Sequence, residues 1–229
     1  VERVDRLVTA AAGHLVQITI APERPGAIAA VSALRERGVT VAIGHTTSGF
    51  EEARAVFAAG ATLLTHAFNA MPGIHHRAPG PVVAAMSEPS VVLELIADGV
   101  HVAPAVLALA FAGAPGRIAL VTDAMAAAGV GDGEYELGGL AVTVDAGIAR
   151  LTGSDVIAGS TLTLDAALRT VVAAGVPLPD AVRALTRTPA RAIGRPEFGT
   201  LDVGAVADAV LLTADLVVDE VWVAGESAR

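Results

Sequence analysis

Three histidines and an aspartate stand where apolar runs end. "VTVAIG" closes on His45 and "ATLLT" on His66; "VVLELIA" is followed by "DGV" and His101, and "RIALVT" runs into Asp123. Neutral imidazoles on neighbouring strands can share one divalent ion, which lowers the pKa of a bound water towards neutrality. A carboxylate beside that water, here Asp123, can take its proton and later hand it to a leaving group. The chemistry of this set is metal-assisted hydrolysis. A single such histidine reads as a capping or surface residue; four consecutive strands ending this way read as a site. His14 reads as solvated, and His75 and His76 as plain loop residues.

Other chemistries fit less well. The chain has no cysteine, so any metal must be held by His, Asp or Glu, and no disulfide framework exists. No Gly-x-Ser-x-Gly elbow is present, which disfavours a serine hydrolase. No Gly-x-Gly-x-x-Gly follows the first strand-like run, which disfavours a dinucleotide fold. The loop "FNAMPGIHHRAPG" supplies Asn69, Arg77 and glycine amides suited to an anionic or sugar-like substrate.

The elements that must carry these residues alternate regularly. Apolar runs at 15–21, 39–44, 61–65, 91–97 and 117–122 predict strands, and 26–37, 50–59, 81–87 and 104–112 predict helices. Ser48 and Glu51 form a Ser-x-x-Glu capping-box pattern before the second helix. Continuous apolar strands alternating with helices predict an α/β fold with a parallel sheet buried on both faces. Such sheets bind ligands at the carboxyl ends of their strands, where the four candidates fall. Beyond Asp123 the pattern predicts β-hairpins at about 132–152, a helix at 161–174, two short helices and a tail of short strands.

Composition narrows the partners. Apolar residues make up 53% of the 229, yet no run approaches the roughly 18 needed to span a membrane. Residues 1–14 are charged throughout and lack the apolar block of a signal peptide, so a cytoplasmic protein is expected. A net charge of −9 with only 15 Lys and Arg argues against nucleic acid as partner.

The stretches "GHTTSGFEEARAVFAAGATLLTHAFNAMPGIHHRAPG", "IADGVHV", "LVTDAMAAAG", "AGSTLTLDAALR" and "TPARAIG" together resemble the N-acetylglucosamine-6-phosphate deacetylase family of the amidohydrolase superfamily. The resemblance implies a partial TIM-type (β/α) barrel over 1–195 and strands of a small β-domain over 196–229. It implies His45 and His66 as ligands of a divalent metal, zinc or iron, as one or two ions. Asp123 matches the residue that activates water and protonates the departing amine. Asn69, Ala70, His101, Ile157, Ala158 and Gly159 match substrate contacts, and Arg77 matches a phosphate contact across a homodimer interface. The implied reaction is deacetylation of N-acetyl-D-glucosamine 6-phosphate.

The family's third metal ligand, a Glu in a His-x-Glu-Gly-Pro-like segment, is absent, as is a further histidine near it. Glu23, in "APE", follows the place of that ligand and takes no role from the resemblance. Only five barrel strands are visible, matching the fourth to the eighth, so an N-terminally truncated chain is expected. The competing readings are another amidohydrolase acting on a cyclic amide or dipeptide, and a non-catalytic sugar-phosphate-binding fragment.

Overall fold

In the computed structural model, which describes residues 2–228, five parallel strands form one sheet. They are β1 (Gln17–Ile20), β2 (Thr40–Ile43), β3 (Leu63–Leu64), β4 (Val92–Ile96) and β5 (Ile118–Val121), adjacent in chain order. Helix α1 (Glu2–Ala11) precedes the sheet; α2 (Ala27–Glu36), α3 (Phe50–Ala58), α4 (Gly80–Ser87) and α5 (Pro104–Gly113) each connect two strands. An order that never reverses is that of a (β/α) barrel wall, whereas a doubly wound sheet reverses at a switch point.

Alternation along the strands divides the sheet into two faces. Val41, Ile43, Leu64, Leu93, Leu95, Ile118 and Leu120 pack with Val31, Leu34, Val56, Phe57, Val82 and Leu107 from the helices in one buried cluster. The other face mixes apolar residues such as Leu63 and Ile96 with small and polar ones, and the bonds between its polar residues reveal the sheet's shape. Strands β1 and β4 have β2 and β3 between them, a separation of roughly 14 Å in a flat sheet. Yet Gln17 Nε2 donates to Glu94 Oε1 over 3.0 Å. Side chains of that length meet only if the sheet curls. Thr19 Oγ1 likewise lies 2.9 Å from Thr65 Oγ1, just past β3, passing over Gly44. A Cβ on Gly44 would stand 2.8 Å from Thr65 Cβ and 3.0 Å from Thr19 Cγ2, so the curl uses the absent side chain. The arc fits part of a barrel.

After β5 come three antiparallel strands, β6 (Gly133–Leu137), β7 (Leu140–Asp145) and β8 (Ile148–Leu151), over a small core of Met125, Val142, Val144, Ala149 and Ala158. Helices α6 (Leu164–Ala173), α7 (Leu178–Leu185) and α8 (Arg187–Ala192) follow. The chain finishes with an antiparallel sheet of β9 (Ala209–Leu212), β10 (Val218–Val223) and β11 (Glu226–Ser227). Among the described residues no helix is long and apolar enough to cross a membrane.

Two local expectations change. Helix α1 has no counterpart in the sequence reading, because only Val4 of its residues is buried and its apolar pattern is short. The start of α3 is shifted by one residue. Gly49 is its N-cap, and the Glu52 carboxylate accepts the Gly49 N–H over 3.1 Å. The Ser48 side chain is instead buried against Thr46, 2.8 Å away, which removes it from the expected pairing with Glu51.

Candidate active site at the strand ends

Three of the candidates stand in the same local position. Strands β2, β3 and β5 end at Ile43, Leu64 and Val121, and His45, His66 and Asp123 each follow two residues later. All three have left-handed backbones, with φ of 46°, 30° and 50°. This region costs a non-glycine residue on the order of 1–3 kcal/mol and persists only where the surroundings enforce it. Three such residues stand along one edge of the parallel sheet, at the strand ends where strained backbones often accompany ligand sites.

The two imidazoles converge. His45 Nε2 and His66 Nε2 are 2.8 Å apart, with the rings edge-on at 77° and centroids 4.5 Å apart. His45 is exposed, whereas His66 is buried and its Nδ1 has no hydrogen-bond partner. Two nitrogens bound to one zinc at about 2.0–2.1 Å would stand roughly 3.3 Å apart in tetrahedral geometry, so a small parting of the rings admits an ion. The pair fits as two ligands of a divalent metal. Among the described residues no group of three His, Cys, Asp or Glu converges, one fewer than the three protein ligands of a catalytic zinc.

On β4, which ends at Ile96, the place two residues on belongs to Asp98, and His101 lies beyond it. The sequence reading set His101 in that row; the structure makes it a side chain held from that row. Asp98 Oδ1 accepts the Val100 and His101 N–H groups, both at 2.8 Å, and Oδ2 lies 2.6 Å from His101 Nδ1. Burial pushes the Asp98 carboxyl upward, but the bonds from the His101 ring and the two amides outweigh it and hold the group below the usual carboxylate range. Asp98 and His101 line a cavity of about 340 Å³ together with Ile157, Gly159, Ser160 and Thr161.

The stretch 157–160 also fixes Asp123. Asp123 O accepts the Ser160 N–H over 2.8 Å, Ser160 O accepts the Met125 N–H over 2.9 Å, and the Ser160 hydroxyl donates to Thr122 O. Gly159 has φ 68°, and a Cβ there would stand 3.2 Å from Asp123 O. Ala158 is buried and its N–H reaches Ala149 O over 3.1 Å, and Ile157 bridges Arg150, so both tie this stretch to β8.

The loop after His66 is braced by Asn69, whose Nδ2 lies 3.3 Å from both His66 O and Ala67 O. Ala70, at φ 50°, accepts the Thr46 N–H over 3.0 Å, which joins this loop to the one after His45. Arg77 is exposed on a separate turn, its Nη1 2.6 Å from His76 Nε2. His45, His66, Asp123, Asn69, Ala70 and Arg77 do not line the 340 Å³ cavity. Two larger cavities, about 530 and 700 Å³, open elsewhere. Thr40, Thr62 and Val92 on the second place it at the amino ends of the strands, away from the histidines.

Glu94 escaped the sequence reading. It sits in the middle of "VVLELIA", an apolar run whose other members mark a buried strand. That anomaly, a charge at a strand centre, was the available signal. Burial is the largest influence and raises its carboxyl above the usual range, against hydrogen bonds from Gln17 and the His66 N–H; the charge of Asp123 raises it further. Its own carbonyl accepts the Ala67 N–H over 2.7 Å.

Comparison with known proteins places the chain in a family. The N-acetylgalactosamine-6-phosphate deacetylase of Escherichia coli O157:H7 is 40% identical over 230 residues, covering 100% of this chain and 61% of that protein. The N-acetylglucosamine-6-phosphate deacetylase of Vibrio furnissii is 37% identical, covering 98% of this chain and 57% of that protein. The crystal structure of N-acetyl-D-glucosamine-6-phosphate deacetylase from Mycobacterium smegmatis superposes with a TM-score of 0.95 at 46% identity, over 100% of this chain and 62% of that one. A mutant of the M. smegmatis enzyme was solved in complex with N-acetyl-D-glucosamine-6-phosphate. This chain therefore spans about 60% of the length of these relatives. Residues 1–228 match the amidohydrolase family, and with its parallel sheet and its histidines at the strand ends, the chain belongs to it.

Proposed function

We propose that the protein removes the acetyl group from N-acetyl-D-glucosamine 6-phosphate, releasing acetate and D-glucosamine 6-phosphate. The observation that carries this reading is the row of His45, His66 and Asp123, each two residues past a strand and each in a left-handed conformation. The near relatives, by their names, deacetylate 6-phosphorylated amino sugars.

His45 and His66 would hold a divalent metal, zinc or iron, and when bound that ion supplies Lewis-acid activation of water. Asp123 takes the proton of the attacking water and delivers it to the sugar nitrogen as the amide C–N bond breaks. His101, Ile157, Ala158 and Gly159 line the sugar site, with Asn69 and Ala70 at its edge. Arg77 grips the phosphate of a neighbouring protomer's substrate in a homodimer, which its exposure permits. We further read 1–195 as the barrel portion, 196–229 as part of a small β-domain, and the whole as cytoplasmic.

The test is acetate release with added Zn²⁺ or Fe²⁺ from the phosphorylated sugar, its galacto epimer and the unphosphorylated sugar. Preference for a phosphorylated substrate supports the reading. Arg77→Ala should weaken the phosphorylated sugar roughly 10- to 150-fold and leave the other unchanged, as expected for a charge-assisted contact. Turnover that ignores the phosphate would favour a different amide substrate. Sugar-phosphate binding without turnover would favour a non-catalytic fragment.

A further inference from the structure

Glu23 has the chemistry of a support without a role assigned so far. It follows β1 by three residues and accepts three bonds from the turn after His45. Thr47 N–H donates to Oε1 over 3.0 Å, the Thr46 hydroxyl to Oε2 over 2.5 Å, and the Thr47 hydroxyl to Oε1 over 3.4 Å. The Thr46 hydroxyl has a single proton, and the short charged bond to Glu23 claims it. Thr46 Oγ1 then receives the Ser48 N–H over 2.9 Å, with the Ser48 hydroxyl 2.8 Å away. Thr46 and Ser48 are buried, so few other partners can replace these bonds. Thr46 also donates its N–H to Ala70 O, in the loop after His66.

The carboxylate thus ties the loops after β1 and β2, and the Thr46 N–H carries the link on to the loop after β3. His45, with its left-handed backbone, is the residue immediately before the clamped pair. A ligand on an unfavourable backbone stays aimed only while its turn is held, and supporting hydrogen bonds of this kind set ligand orientation.

We propose that Glu23 is a positioning residue. Its carboxylate locks the 45–48 turn, aims the His45 ring at His66, and through Thr46 fixes the distance from this pair to Ala70. The inference rests on the reading of His45 and His66 as metal ligands.

The test uses the 229-residue chain with Zn²⁺ alone as the probe, plus amide exchange at Thr47 measured against Ile43. Glu23→Ala should lower Zn²⁺ affinity on the order of tenfold, as loss of a ligand-supporting bond does, and speed exchange at Thr47 but not at Ile43. Glu23→Gln keeps a carbonyl for the Thr47 N–H and should recover most of the affinity. Thr46→Val removes one partner and should lower affinity in the parent but add little to Glu23→Ala. Unchanged affinity and unchanged Thr47 exchange in Glu23→Ala would overturn the proposal. So would a Glu23→Gln variant as weak as Glu23→Ala, since the charge alone would then be at work. If Glu23→Ala fails to fold, Glu23→Gln and Thr46→Val decide. If His45→Ala leaves Zn²⁺ binding intact, the metal reading fails by itself, and Thr47 exchange alone decides whether Glu23 holds the turn.

Discussion

The Asp98 carboxylate stands 2.6 Å from His101 Nδ1, and both side chains are largely shielded from solvent. With Asp98 ionised, the ring presents its N–H on Nδ1 and leaves Nε2 for a ligand. Asp98→Asn offers an amide in place of that acceptor and lets the ring turn over. The expected result is a change of His101 tautomer, seen by long-range ¹H–¹⁵N correlation at neutral pH. Sugar-phosphate binding should weaken by about tenfold, the scale of one hydrogen bond to a charged group. An unchanged tautomer would remove Asp98 from the site.

The carboxyls of Glu94 on β4 and of Asp98 just past its end predict a pH profile with two opposite limbs. Asp98 is held low, so its contribution is present above the ordinary Asp value of about 3.9 and lost as pH falls through its lower folded value. Glu94 is held high, so folding keeps its proton and stability declines as pH rises from the ordinary Glu value of about 4.3 through the raised one. Glu94→Gln keeps an acceptor for Gln17 and removes the charge. Urea unfolding should show its advantage over the parent growing from acid to neutral pH. A constant difference across that range would contradict the assignment.

Gly159→Ala should harm the site more than the fold. The left-handed backbone costs roughly 1–2 kcal/mol for a residue with a Cβ, and that Cβ would press on Asp123 O from 3.2 Å. A stability loss of about that size in urea, with amide exchange at Ser160 accelerated, is the expected outcome. Full stability with a protected Ser160 amide would show that the stretch can yield.

Asp123→Asn should preserve fold, Zn²⁺ binding and sugar-phosphate binding, since the side chains are nearly isosteric. It cannot take up the proton, so acetate release should fall by roughly 10²–10⁴-fold. Near-normal turnover would overturn the catalytic role.

The strand–helix alternation was legible because strands such as β2 within the run 39–44 are packed against helices, and burial writes itself as nearly uninterrupted apolar letters. The placing of His45, His66 and Asp123 at strand ends was legible for the same reason: a polar letter closing such a run must sit at the strand end. What the letters could not carry was reach across the sheet. Nothing local to Glu94 reveals that Gln17 meets it, because that contact depends on curvature accumulated over three strand spacings. Asp98 was hidden by its neighbour, since His101 has the more conspicuous chemistry and the bond between them depends on the turn at Gly99. The start of α3 was misplaced because Ser48 has a competing partner in Thr46, two residues before it.

Gly44 lies between Thr19 and Thr65 where the sheet bends. A methyl group there would act as a wedge on the inner surface of an arch and push its limbs apart. Opening the arch would carry Gln17 away from Glu94 and widen the gap between the ends of β2 and β3, where His45 and His66 stand. The spacing of the two imidazoles is therefore set partly by a missing side chain one residue before His45, whose place Thr19 and Thr65 occupy, and that absence works as the gauge of the site.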